Sequence, residues 1–229
     1  MFGLDEHIAS LSNGTTLALV VGVAIVLGLR HAGDPDHLTA VSTLVASGQE
    51  HAARSAARLG LAWGAGHATS LFVFGLPVVL YRAYLPAAVQ AGAETAVGIV
   101  IVVLAVMLLA RWRRGLFADD AHAHAHRKAR TARGAYAIGL VHGAGGTAGV
   151  GVLLLASIKS SPLAIGALAL FAACTAVSMA LLSTGVGAAL GAPAVRRSFA
   201  RVAPVIGASS LAFGVWYALG AQGVVPYAF

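Results

Sequence analysis

Charge is what this sequence has least of. Lys, Arg, Asp and Glu make up 10% of its 229 residues, where a soluble globular domain carries about 25%. With 59% hydrophobic residues and a mean hydropathy of +0.84, that shortage excludes a soluble enzyme built round a large core. The few charges cluster and leave apolar runs of roughly 20 residues, the length of a membrane-crossing helix. A single cysteine, Cys174, excludes an internal disulfide and the redox chemistry of a cysteine pair; it reads as a small packing residue. There is no Gly-x-x-x-x-Gly-Lys-Ser/Thr loop, no His-Glu-x-x-His and no Gly-x-Ser-x-Gly. These absences remove a nucleotide site of that kind and the corresponding hydrolase chemistries, so the chain is not read as an enzyme. Work driven by ATP would need a partner subunit. Ahead of Thr16 stand Asp5 and Glu6 but no Lys or Arg. A cleavable signal peptide starts basic, so the first hydrophobic segment is expected to remain in the mature chain.

What is present is a set of six apolar segments, at about residues 16–47, 59–80, 91–110, 135–157, 162–190 and 202–219. The reading is an all-α membrane protein with a single transmembrane domain over residues 1–229. Its 28 glycines suit close helix–helix contact in lipid. The formal net charge of +7 would raise the question of nucleic acid in a soluble protein. Here the positive charges lie in short connections, where they set orientation instead. The connections after segments one, three and five hold twelve Lys and Arg: Arg54, Arg58, seven between Arg111 and Arg133, then Arg196, Arg197 and Arg201. The opposite side has Arg82 and Lys159. The positive-inside rule puts the first set in the cytoplasm. Both termini are then outside, and the basic, histidine-bearing loop 111–133 is cytoplasmic. Trp63, Trp112 and Trp216 fall near expected span ends and read as interface anchors. Glu94 is expected at the outer interface.

The first segment is organised around Arg30-His31-Ala32-Gly33-Asp34-Pro35-Asp36-His37-Leu38-Thr39-Ala40. A continuous helix over the whole segment would be about 48 Å long, against about 30 Å of hydrocarbon. A break near Gly33 and Pro35 resolves the mismatch. One half-helix ends near His31 and another starts near Asp34, a plausible N-cap followed by proline at the first helical position. Four ionisable side chains at membrane depth need a reason. Imidazole with carboxylate suits Ni²⁺, Co²⁺, Zn²⁺ or Mn²⁺ and does not suit Cu⁺, so His31, Asp34, Asp36 and His37 are candidate ligands of a divalent ion. The plainer alternative pairs Arg30 with Asp34 or Asp36 and makes the cluster a cap for two half-helices. It leaves both histidines unexplained.

Further candidates lie elsewhere in the chain. Gly66-His67-Ala68-Thr69-Ser70 is a second polar island, with His67 a ligand or gate residue and Gly66 allowing close approach of another helix. His142 lies in a glycine-rich stretch that suggests another distorted helix. Residues 28–33 (Gly-Leu-Arg-His-Ala-Gly) resemble residues 139–144 (Gly-Leu-Val-His-Gly-Ala) at an offset of 111, which sets His31 opposite His142. With three spans between equivalent positions, the halves 16–110 and 135–219 would insert in opposite senses, a recurrent transporter plan. His122, His124 and His126 form an alternating tract of a kind that binds transition metals weakly, or simply a solvated loop.

Arg30 to Leu38 closely resembles the signature of the nickel/cobalt transporter family, described as Arg-His-Ala-x-Asp-Ala-Asp-His-Ile; the central His-x₄-Asp-His is present as His31, Asp36 and His37. Gly66-His67-Ala68-Thr69-Ser70 looks like that family's Gly-His-Ser/Thr element in the next helix. The clear match covers about 20 residues, and Pro35 stands where the family has alanine. The family's described members also carry a span before the motif helix, whereas here the motif helix comes first. The resemblance implies a multi-pass permease of the bacterial cytoplasmic membrane for Ni²⁺ or Co²⁺. His31, Asp34, Asp36, His37 and His67 would form its selectivity site, and Arg30, Gly33, Pro35 and Gly66 would shape it. It implies transported metal and lipid as partners, no cofactor, no nucleic acid and no nucleotide. A related efflux group has Gly-His where this chain has Asp36-His37, which favours uptake over efflux. An intramembrane zinc enzyme using the same ligands on water is the remote alternative; it lacks a general base beyond the carboxylates on the metal.

Overall fold

The computed structural model describes residues 4–48, 53–81, 86–115, 131–145, 152 and 155–226. Among these residues there are helices and turns and no strand. The helices bounded among the described residues are, in order, α1 (Leu4–His31), α2 (Pro35–Gly48), α3 (Ala53–Tyr81), α4 (Ala87–Arg113), α5 (Ala132–Ala144), α6 (Ser161–Gly191) and α7 (Pro193–Ala221). Four of them, α3, α4, α6 and α7, are long and apolar enough to cross a membrane. Within α1 and α2, Leu17–His31 and Pro35–Ala46 together meet the same test and are bent by 49° at the break between them.

The expected break is therefore present, and its cause is local. After His31 the chain tightens into turns in which Gly33 N–H donates to the Arg30 carbonyl (2.8 Å) and Asp34 N–H to the His31 carbonyl (3.1 Å). Pro35 has no N–H with which to continue the ladder and disfavours helix at the residue before it. A new helix starts there, and Leu38 N–H donates to the carbonyl of Asp34 (3.0 Å). The expected fourth segment, 135–157, differs from the other long ones. Its helix α5 runs for 13 residues and stops at Ala144, with Gly145 in extended conformation. Residues 146–151, 153 and 154 lie outside the described residues; among the described residues the four long helices and the bent pair make up to five candidate spans, against the six expected.

Packing centres on α3, which lies along α5 on one side and α6 on another. The α4 helix lies along α7, α1 lies on α6, and α2 reaches α4, α6 and α7. Without a hydrophobic driving force between helices in lipid, close backbone approach at small residues has to hold such pairs together. The α3–α5 crossing is the tightest case. A Cβ on Gly66 would run into the Tyr136 carbonyl, one on Gly139 into the Trp63 carbonyl, and one on Gly143 into the His67 carbonyl. Gly139 and Gly143 thus form a Gly-x-x-x-Gly face on α5 that rests directly on the α3 backbone. Polar bonds reinforce the crossings: the Ser70 hydroxyl donates to the Leu140 carbonyl (2.6 Å), Ser178 to the Leu29 carbonyl (2.6 Å), and the Thr43 and Ser210 hydroxyls bond at 2.8 Å.

Three tryptophans and one glutamate refine the picture drawn from sequence. Trp63 is fully buried and is no interface anchor, because α3 starts at Ala53 and Trp63 lies well inside it. Trp112 is partly exposed and donates its Nε1–H to the Ala200 carbonyl (2.8 Å). Trp216 is half-buried against the apolar core. Glu94 is buried, accepts a bond from the Gln90 amide (3.1 Å), and adjoins Gly145, where a Cβ would meet Ala93 and the Glu94 backbone.

This packing makes a stability prediction. Replacing Gly139 with valine forces α5 off the α3 backbone and should cost at least about 2 kcal/mol, or roughly 5 °C in melting temperature for a chain of this size. Gly185 has open space around its Cα, and Gly185→Ala should hold or slightly raise that temperature. Thermal unfolding of the detergent-purified variants, followed by fluorescence, checks both; equal melting of Gly139→Val and wild type would show that the crossing is not close.

Candidate metal centre

The break between α1 and α2 brings the motif's side chains inward. His31 ends α1, while Asp36 and His37 open α2. All three are buried, at 5%, 1% and 0% exposure. α3 adds His67 and α5 adds His142, each fully buried. The Gly139–Gly143 face fixes the second of these, since it seats α5 on the backbone of Trp63 and His67 one residue away from His142. Four imidazoles and a carboxylate from four helices thus converge in one place. Trp63 borders the group, with its ring 5.8 Å from His37 and 5.6 Å from His142; Phe171 of α6 borders it at 5.8 Å from His31.

The contacts sort the side chains by role. His31 Nε2 lies 3.1 Å from His67 Nε2, and the other nitrogen of His31, Nδ1, lies 3.1 Å from Asp34 Oδ2. His37 Nδ1 lies 3.0 Å from Asp36 Oδ1. A carboxylate on the far nitrogen of an imidazole fixes its tautomer and leaves the near nitrogen as a lone pair, the arrangement that metal-binding histidines usually have. Asp34 and Asp36 each serve a histidine in this way. Asp36 has a second oxygen, Oδ2, which lies 3.3 Å from His142 Nε2. The angles there miss those of a hydrogen bond, and both atoms are buried without a hydrogen-bond partner among the described residues. His37 Nε2 is in the same condition. Buried polar atoms left unpaired are unusual enough to need an explanation, and a cation would supply one.

Two sets of three ligand atoms lie within 4.8 Å of one another: His31, His37 and His67, and Asp36, His37 and His142. Of the residues expected from sequence, His31, Asp36, His37, His67 and His142 are therefore assembled. Asp34 is not in either set; it is partly exposed and stands behind His31. Arg30 is exposed at the end of α1, Gly33 and Pro35 form the exposed outer side of the break, and Gly66 is the contact point with α5. His122, His124 and His126 lie outside the described residues. Trp63 is a buried polar-bearing residue at the border of the centre that sequence reasoning did not bring in. A tryptophan one helical turn before His67 on the same face was the available signal.

Neither a family model nor a solved structure matches the chain. Among curated proteins it is similar to the urease accessory protein UreH of Bacillus sp. (strain TB-90), with 26% identity over 214 residues. That alignment covers 88% of this chain and 91% of the relative, so the likeness runs along nearly the whole length of both proteins and is not confined to the motif.

Proposed function

We propose that the protein is a permease for Ni²⁺ and Co²⁺ that takes these ions up across the bacterial cytoplasmic membrane. The carrying observation is the convergence of His31, Asp36, His37, His67 and His142 on the broken helix, with buried ligand atoms that have no other partner among the described residues. Imidazole-rich sets suit borderline divalent ions and disfavour Mg²⁺ and Ca²⁺, which prefer all-oxygen shells. The site sits at a helix break, as ion sites of secondary transporters do. The family signature at Arg30–Leu38 and the full-length likeness to UreH agree with this reading. Asp34 orients His31 and is not itself a ligand. A membrane potential favours inward movement by about 2.3 kcal/mol per charge per 100 mV, and about twice that for a divalent ion, so uptake needs no coupled nucleotide.

The same reading takes the chain as six spans in two inverted halves. An exchange of contacts supports it. Gly28 on α1 faces the Phe171 carbonyl and Thr175 amide of α6, just as Gly139 on α5 faces the Trp63 carbonyl and His67 amide of α3. At the same offset of 108 residues between α3 and α6, Gly60 meets Ser183 and Gly75 meets Leu168. Gly98 with Ala218 and Gly214 with Val102 make another exchanged pair between α4 and α7. His31 is to Phe171 (5.8 Å) as His142 is to Trp63 (5.6 Å). In this correspondence Thr175 occupies the place of His67, and its hydroxyl is spent on the Phe171 carbonyl (2.9 Å). The repeat therefore builds one central site, not two.

Two predictions test the proposal. Cells or right-side-out vesicles carrying the protein should accumulate radioactive nickel and cobalt, and Asp36→Asn and His37→Ala should each abolish this at unchanged protein level. Normal transport by both variants ends the proposal, and raised nickel tolerance with lower cellular nickel would reverse its direction. Asp34→Asn removes only the support behind His31, so it should weaken Ni²⁺ binding by about 10- to 100-fold without abolishing it; calorimetric titration of the purified protein reads this.

A further inference from the structure

The centre holds more ligand atoms than one ion needs in one place, and they fall into two sets with a single common member. The His37 ring centroid is 4.5 Å from that of His31 and 4.5 Å from that of His142, so His37 stands midway. Its Nδ1 is tied to Asp36, which leaves Nε2 as its one free ligand atom. Two ligand atoms each about 2.1 Å from one ion are about 3.0–3.4 Å apart for octahedral to tetrahedral angles. The His31–His67 separation of 3.1 Å and the Asp36–His142 separation of 3.3 Å both fit such an edge. The sets differ in character: three imidazoles in one, a carboxylate directly on the ion in the other.

We propose that these are two overlapping positions for one divalent ion, and that His142 draws the ion from the first to the second while His37 stays bound throughout. This rests on the permease reading and deepens it. In the transfer the bonds from the ion to His31 Nε2 and His67 Nε2 break. Bonds to Asp36 Oδ2 and to His142 form, and the bond to His37 Nε2 is kept; no proton or electron changes hands. The shared nitrogen forbids two ions at once. The three-imidazole position does the selecting, because hard ions gain least there. The second position cannot form from one half of the chain alone. His31, Asp36, His37 and His67 lie on α1, α2 and α3, whereas His142 lies on α5 beyond the basic loop. Completion of the second set thus depends on how α5 is seated against α3, which makes the transfer sensitive to relative movement of the two halves.

Cobalt is the probe, for both binding and flux. Purified protein should bind one equivalent of Co²⁺ by calorimetry; two equivalents would overturn the shared position. In proteoliposomes, His142→Ala should lower the maximal rate of Co²⁺ entry at least tenfold with a smaller change in half-saturating concentration. His67→Ala should show the reverse emphasis, with half-saturation raised at least tenfold. His142→Asn, which keeps a polar side chain on the Gly139–Gly143 face, guards against a folding defect and should behave as His142→Ala does, with an unchanged elution profile. If His142→Ala and His142→Asn carry Co²⁺ as wild type does, the relay is wrong although the permease reading stands. If both lose Co²⁺ binding as fully as His37→Ala, there is one five-ligand site and no transfer. A wild-type protein that binds Co²⁺ and moves none removes the permease reading itself, and the relay with it.

Discussion

Everything in this molecule answers to the burial of Asp36. A carboxylate inside an apolar helix bundle has lost its water, and it must regain equivalent partners from protein or from a cation. One of its oxygens takes the Nδ1 of His37 and the other faces the Nε2 of His142 from a different helix. His37 follows directly in α2, whereas the approach to His142 on α5 depends on where the break sets the start of α2. The turn from His31 to Pro35 delivers Asp36 and His37 at the start of α2, pointing inward, while the end of α1 delivers His31 from the other direction. The break is thus a structural requirement of the site, and its tight turns and missing proline N–H keep it from healing into a longer helix.

Holding the remaining histidines in place falls to glycine. Lipid gives helices no reason to separate apolar from polar faces, so position is set by how closely backbones approach. Gly66, Gly139 and Gly143 allow α3 and α5 to touch backbone to backbone, and this contact sets the distance between His67 and His142, whose ring centroids are 6.0 Å apart. Gly28 does the same for α1 against α6, beside Cys174 and Phe171. Cys174 is accordingly a packing residue at a helix crossing, with the part its solitary occurrence suggested.

The break itself was legible in the sequence, because a length mismatch and a proline are arithmetic: the first half-helix does end at His31 and the second does open at Pro35. Close approach at Gly66 was legible for the same kind of reason. The division of labour among the carboxylates was not. His31 with Asp34 and Asp34 with His37 have the same i, i+3 spacing, and spacing alone does not say which nitrogen of an imidazole a carboxylate meets. Trp63 was misplaced because hydropathy finds the apolar part of a helix and misses its polar start. The α3 helix begins at Ala53, about six residues ahead of where the apolar run begins near Leu59, and this carries Trp63 from the span's end to its interior. Glu94, expected at the outer interface, is buried against protein in α4, which begins at Ala87. Its burial depends on Gln90 and on the chain at Gly145, a contact between residues about 50 positions apart that no local pattern contains.

Charge explains why this centre needs carboxylates at all when imidazoles supply most of the ligand atoms. Four neutral rings bind a borderline metal well but leave its double charge uncompensated in a low-dielectric interior, where interactions between charges are several times stronger than in water. In the proposed site Asp36 would meet the ion directly and Asp34 would act through His31, so the two carboxylates together would balance a divalent cation. A monovalent cation would leave one negative charge uncompensated, and a hard divalent cation would find only one oxygen ligand in the two sets. Selection by charge and selection by softness would thus come from different residues, with both carboxylates and two of the histidines inside the same seven residues, His31 to His37. In that reading the carboxylates would set the valence of the ion, and His31 and His37, with His67 from α3, would set its kind.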